Sequence, residues 1–343
     1  SGSTSGTPYG DWRNKICFVS DDIDEWWENA FFGHSERTID SIIKNYPIFN
    51  IDKIHMDAYN QTSQAGGERY IEGTEALKRK VQEGLLLLAY EGHGGEIGWG
   101  HERFLTVPTI TGWSNFNQLT AMLTATCEFT KYDDPSRTSA GELCLLNPNG
   151  AAVCLFTTTR TVTQGSNEQL ITAFFKEIFE RKPDGSPKTM GEIYMDTKNH
   201  SIVALDNNSR RFGLIGDPAL TLSFPRHNVV TSEINNVAVT STTDTLKALS
   251  RITIKGYIAN NSGVKLTTYN GVVYPTVFDK PKQLATLGNR EPGDIFPFEL
   301  QNSVLYKGKA TVTNGDFEFT FVVPKDINYQ YGEGKISYYA YDG

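Results

Sequence analysis

Two continuous apolar blocks constrain this chain most. Leu85-Leu86-Leu87-Leu88-Ala89-Tyr90 runs into Glu91-Gly92-His93-Gly94-Gly95, and Leu119-Thr120-Ala121-Met122-Leu123-Thr124-Ala125-Thr126 ends on Cys127. A strand that is apolar on both sides belongs in a parallel sheet covered by helices, because a sheet with one wet face alternates apolar and polar residues. Neighbouring parallel strands of an open α/β sheet end on the same edge, and ligands bind in the crevice outside that edge. Each block therefore carries one reactive side chain, an imidazole or a thiol, to a shared edge. A thiolate is the nucleophile and an imidazole can generate or stabilise it, so the pair points to cysteine-based acyl chemistry, a peptidase or an acyl transferase.

The flanking sequence supports a layered α/β domain over residues 12–225. Lys15 to Ser20 and Phe49 to Met56 read as further strands, as do Ala151 to Thr158. Helical spacing of Trp26, Trp27, Phe31, Ile39, Ile42 and Ile43 predicts a helix between the first two. Thr74 to Glu83 reads as another, stopped by Gly84. Ser166 to Lys182 carries a clear apolar stripe behind a capping box at Ser166-Asn167-Glu168-Gln169, and a second box opens a helix at Thr189-Met190-Gly191-Glu192. After Asp217-Pro218 the helical periodicity stops. Over residues 229–343, short β-rich runs alternate with turns such as Asn260-Asn261-Ser262-Gly263, which predicts an immunoglobulin-like β-sandwich. Residues 1–11 read as a linker.

Composition narrows the function classes. A net charge of −8 argues against general nucleic-acid binding, which needs clustered Lys and Arg. Cys17, Cys127, Cys144 and Cys154 fit neither a CxxC zinc pattern nor a disulfide framework. Cys17, Cys144 and Cys154 lie within apolar runs and read as buried packing thiols. The glycines around His93 expose backbone N–H groups, and those of Gly94 and of Cys127 itself are the natural oxyanion donors. Glu128, beside the nucleophile, and Arg160, after the next strand, are candidates for the substrate cleft. A dinucleotide fingerprint fails because Ile97 stands where the third glycine is needed. A zinc site of His93, His101 and Cys127 lacks the spacing and a further ligand.

The order strand, His-Gly, second strand ending in Cys resembles the caspase-like clan of cysteine peptidases. The 34-residue separation (127 − 93) resembles the gingipain family within it. Longer strings strengthen the likeness: Tyr90-Glu91-Gly92-His93-Gly94-Gly95, Thr124-Ala125-Thr126-Cys127-Glu128-Phe129, Thr138-Ser139-Ala140-Gly141-Glu142-Leu143 and Leu214-Ile215-Gly216-Asp217-Pro218-Ala219-Leu220. They are similar to the gingipain-like sortases, the C-terminal signal peptidases of the type IX secretion system. The resemblance covers nearly the whole chain. It implies a caspase-like α/β/α fold and an acidic residue near the end of the first strand that orients the His; the matching position is Asp22, with Glu68 a lesser candidate. It further implies an enzyme at the cell surface of a bacterial outer membrane. Such an enzyme removes C-terminal signal domains from secreted cargo and joins the new carboxyl terminus to an amine of an anionic lipopolysaccharide. The expected partners are those signal domains, the lipopolysaccharide and other secretion components, with no catalytic metal or cofactor and room for a structural calcium. Two other readings stand beside it: a secreted endopeptidase that only hydrolyses, and a degenerate peptidase fold serving as a binding scaffold.

Overall fold

The computed structural model describes residues 7–200, 206–239, 245–290 and 294–342. The chain divides into two compact units. The first comprises residues 1–8, 15–223 and 284–298, and the second residues 9–14, 224–283 and 299–343.

The first unit is built on a six-stranded sheet of β1 (Lys15–Ser20), β2 (Asn50–His55), β3 (Leu87–Glu91), β4 (Thr120–Ala125), β5 (Ala152–Thr158) and β6 (Phe212–Ile215), in spatial order β6-β5-β4-β3-β1-β2. All pairs are parallel except β5 with β6. This is the mixed, parallel-rich α/β architecture expected of a caspase-like domain. Its strands are apolar on both sides because both faces are covered. Cys17 and Val19 of β1 join a core with Leu88, Met122 and Leu155, against Leu77 and Val81 of α2 (Ile71–Glu83) and Cys144 of α3 (Ala140–Leu146). Phe18, between them in sequence, points the other way and packs on Phe175 of α4 (Gln164–Glu177), while Phe156 of β5 stacks on Phe174.

Helix boundaries follow local chemistry. Gly84 ends α2 at φ 88°, a backbone region that glycine enters without a Cβ penalty. The capping box at Thr189 and Glu192 opens α5 (Met190–Asn199), with the Thr189 hydroxyl accepting from the Glu192 N–H. The box expected at Ser166 does not form. Helix α4 begins two residues earlier, at Gln164, and the Ser166 hydroxyl instead donates to Asp206. The helix after β1, α1 (Asn29–Asn45), starts later than its apolar spacing predicts: Trp26 and Trp27 lie in a preceding 3-10 turn, and Trp26 is 83% exposed.

The second unit holds two main antiparallel sheets. One includes Asn228–Ile234, Arg251–Ala259 and Asp316–Val322, and the other Gly271–Phe278, Val304–Lys307, Ala310–Val312 and Lys335–Tyr341. Ile254, Phe319 and Phe321 of the first share one core with Val273, Val277 and Val312 of the second. Two stretches depart from the sequence expectation. Residues 9–14, read as linker and domain start, belong to this β-rich unit, where Tyr9 stacks on Tyr341 at 5.4 Å and Asn14 donates to the Tyr338 carbonyl. Residues 284–298, expected within the β-domain, belong to the first unit. There the backbone N–H groups of Leu287, Gly288 and Asn289 donate to Asp57, and Phe296 and Phe298 pack on Phe32. Residues 1–6 lie outside the described residues. Among the described residues, no helix is long and apolar enough to cross a membrane.

Leu88 is fully buried at the centre of the sheet, so Leu88→Ala is expected to cost about 2–5 kcal/mol. Trp26→Ala is expected to change stability by less than about 0.5 kcal/mol. Urea unfolding of the two variants checks both.

Candidate active site

The parallel pairing of β3 with β4 aligns Leu87 with Ala121 and Glu91 with Ala125. His93 and Cys127 each follow the last paired residue by two positions, so they leave neighbouring strands at the same height on one sheet edge. The junction is held by the Gly92 N–H donating to the Ala125 carbonyl, at 3.3 Å. A side chain on Gly92 would collide with Asp21, which explains the glycine before the histidine. A Cβ on Gly94 would lie 2.5 Å from Thr126 Oγ1, so the residue after the histidine has no room for one either. Beyond His93 the chain folds into a small meander of Gly94–Gly95, Gly98–Trp99 and Leu105–Thr106.

The His93 backbone is clamped from two sides: its N–H donates to Asp21 Oδ2 at 2.6 Å, and its carbonyl accepts from the Tyr90 hydroxyl at 2.6 Å. Its ring stacks on His101 at 4.7 Å and packs edge-on against Phe31 and Trp27. Nε2 lies 2.5 Å from Glu28 Oε1. Burial of Glu28 works to raise its pKa, but hydrogen bonds from His93 and from the Glu25 and Asp24 N–H groups outweigh that and hold it below the ordinary value. An ionised carboxylate only accepts, so Nε2 carries the hydrogen, and Nδ1 is the ring nitrogen left for chemistry.

Cys127 follows β4 where the chain turns sharply. Glu128 adopts φ 51°, left-handed for a residue with a side chain, and its N–H donates to the Arg160 carbonyl. Cys127 Sγ accepts from the Val162 N–H at 3.4 Å and lies 3.6 Å from the Val162 carbonyl oxygen. Among the described residues, the thiol and the His93 ring do not hydrogen-bond to one another, and such bonds in peptidases often tighten only with substrate. Cys127 is partly exposed, whereas the other three thiols are buried. Burial pushes Cys17 and Cys144 well up and Cys154 to about 12.

The structure separates the remaining sequence candidates. Asp22, expected to orient the histidine, is buried and accepts from the Tyr70 hydroxyl at 2.9 Å. Burial first, and then the neighbouring Glu102 and Asp24 charges, push its pKa to about 8. The carboxylate on the ring is Glu28 instead, six residues further on, because the 3-10 turn Trp26–Glu28 swings it over the sheet edge. Glu68 forms an ion pair with Arg290 and has no bond to the histidine. Arg160 grips Asp133 in a two-pronged pair at 3.0 and 2.5 Å, and Glu128 lies 3.7 Å from Lys131. Glu28 had one readable signal: Glu25 and Glu28 cap one another reciprocally, in an E-x-x-E spacing. Nothing local says that this turn faces the histidine.

The burial contrast sets an expectation for alkylation. Iodoacetamide on the native protein should modify one thiol per chain, Cys127, and peptide mapping checks the position. All four should react in denaturant.

Comparisons with known proteins bear on the family and the fold. The sequence profile described as peptidase family C25 matches residues 3–223. No curated protein sequence matches the chain. Among solved structures, the Arg-specific cysteine proteinase gingipain R (RgpB) is similar in fold, with a TM-score of 0.51 and 16% identity, covering 94% of this chain and 63% of that one. The dimeric latent PorU from Porphyromonas gingivalis aligns with a TM-score of 0.34 and 18% identity, covering 95% of this chain and 41% of that one. The chain thus spans less than two thirds of the length of these proteins. With the profile covering more than half of its residues, the chain belongs to peptidase family C25, the gingipain family of cysteine peptidases.

Proposed function

We propose that this chain is a cysteine endopeptidase in which Cys127 is the nucleophile, His93 the acid–base and Glu28 the group that orients it. The observation that carries the reading is the Glu28–His93 bond at 2.5 Å, on the edge where Cys127 emerges. A histidine anchored through Nε2 presents one defined nitrogen to the reaction, the role of the third group in nucleophile–base pairs. Sγ attacks the scissile carbonyl carbon, and the thiol proton passes through His93 Nδ1 to the leaving amine. The main-chain N–H groups of Gly94 and Cys127 are the oxyanion donors in this scheme. The resulting thioester is released by water or by an amine, and both routes use the same three residues.

The finer reading is a sortase of the type IX secretion system, similar to PorU, acting at the outer-membrane surface. Its substrates are cargo proteins with C-terminal signal domains, and its acceptor is an amine of an anionic lipopolysaccharide. The motif strings around His93, Cys127, Ser139 and Asp217 support it. Catalysis itself needs no metal in this scheme, since the nucleophile is a side chain.

Cys127→Ala is expected to abolish cleavage while leaving the melting temperature near that of the wild type, because the residue sits at the rim of the sheet. Retained turnover would remove the nucleophile assignment. Glu28→Gln is expected to lower kcat on the order of 10²–10⁴-fold with little change in KM, as loss of a positioned acid–base does, with partial rescue by Glu28→Asp; Asp22→Asn should leave the kcat–pH profile in place. Mass spectrometry of a model cargo, with and without a saturating amine, separates the two fates of the thioester. An amide product supports the sortase, and free acid alone reduces the reading to hydrolysis.

A further inference from the structure

The two oxygens of Glu28 have different partners. Oε1 meets His93 Nε2, while Oε2 accepts the N–H groups of Asp24 and Glu25, both at 2.7 Å. The backbone at Asp24 and Glu25 therefore sets the direction in which the carboxylate points. Little packing holds that backbone: Glu28 ends a 3-10 turn of three residues, and Trp26 of the same turn is 83% exposed. Polar ties must do the rest, and they converge on the Asp24 side chain. Its Oδ1 pairs with Arg290 Nε at 2.7 Å, and its Oδ2 lies 3.6 Å from Nδ1 of His101, the ring stacked on His93. Asp24 is crowded by other acids; after burial, its charge is among the causes that raise Asp22 and Glu102. Among the described residues, Arg290 is the one Lys or Arg paired with it.

Arg290 comes from far along the chain, on the segment 284–298. That segment is rooted beside the site. The Leu287 N–H donates to the Asp57 carbonyl at 2.7 Å, and the Asn289 side-chain amide donates to Asp57 Oδ1 at 3.0 Å and to the Tyr59 carbonyl at 2.9 Å. The Thr286 N–H donates to the Phe296 carbonyl, and Phe296 packs on Phe32, next in sequence to the Phe31 ring that meets His93 edge-on. One residue beyond the Asn289 anchor, Arg290 spans two carboxylates, with Nη2 3.4 Å from Glu68. We propose that Arg290 is a positioning residue of this peptidase. By holding and neutralising Asp24 it keeps the Asp24 N–H on Glu28 Oε2, and so aims Oε1 at His93. Its effect on turnover rests on the peptidase reading; its effect on the Glu28–His93 bond does not.

The test uses the full 343-residue protein. Arg290 is 46% exposed in its side chain, and an ion pair at such exposure adds little to global stability. Arg290→Ala should therefore melt near the wild type while kcat falls roughly 10–100-fold, the scale on which small misplacements of catalytic groups act, with KM little changed. Arg290→Lys should recover part of the loss, since a point charge replaces the fork. Added to Glu28→Gln, Arg290→Ala should cost nothing more, because the group it acts through is gone. Proton NMR supplies a readout that needs no substrate. The proton of the His93–Glu28 bond should give a low-field line that is absent from Glu28→Gln and lost in Arg290→Ala. The line of the His55–Glu36 proton should persist, and because the His55 ring packs on Phe298 at 4.9 Å it reports that the segment stays docked. Unchanged kcat or an unchanged His93 line in Arg290→Ala would overturn the proposal, as would a further loss on top of Glu28→Gln or a wild type without the line. Loss of the His55 line as well would overturn it in favour of a structural role for the segment. A wild type that cleaves nothing counts against the peptidase reading alone, and the NMR lines then decide for Arg290.

Discussion

The register between β3 and β4 is the constraint on which the site depends. Glu91 sits opposite Ala125, so the histidine and the cysteine, each two residues on, emerge side by side. A shift of one residue in either strand would reverse which side chains face each core and bury one of the pair. The register is in turn enforced by apolar burial on both faces: Leu88 and Met122 lock into the same core against α2 and α3. The juxtaposition of His93 and Cys127 is a by-product of packing energy well away from the two side chains.

The sheet edge concentrates negative charge and sorts it by environment. Glu28 lies at the end of a short turn, accepts from the Asp24 and Glu25 N–H groups, and stays ionised beside His93. Asp21 and Asp22, only six or seven residues earlier, lie deeper, beside Glu102, and are pushed the other way. Two carboxylates of similar sequence context thereby take opposite electrostatic roles. One polarises the ring, and the other braces the backbone that carries it. The same division governs the thiols, where partial exposure at the edge separates Cys127 from three buried relatives.

Much of the α/β domain was legible because each of its signals is local. Apolar runs of strand length, the capping box at Thr189, the stop at Gly84 and the change of periodicity after Asp217 all depend on neighbours within a few residues. The bounds of β1, Lys15 to Ser20, follow from the sequence to the residue. Most of the misreadings share one cause. Trp26 carries helical spacing yet is exposed, the box at Ser166 was displaced by Asp206, and residues 9–14 and 284–298 joined units their sequence position does not indicate. At Ser166 and in the two segments a distant partner outweighed the local preference.

By itself the sequence determined that a thiol and an imidazole would end adjacent parallel strands, because continuous hydrophobicity admits few other folds and the side chains follow directly. It also singled out Cys127, the one cysteine standing where apolar residues give way to polar ones, and that thiol is the partly exposed one of the four. Tertiary structure alone decided which acid serves the histidine. Asp21, Asp22, Glu28 and Glu68 are chemically equivalent on paper, and the choice depends on a turn swinging Glu28 across the sheet edge while Tyr70 occupies Asp22. The pairing of Glu102 with Asp21 and Asp22 was equally invisible. It brings together residues some eighty positions apart, through a meander whose path is set by packing rather than by any spacing in the chain.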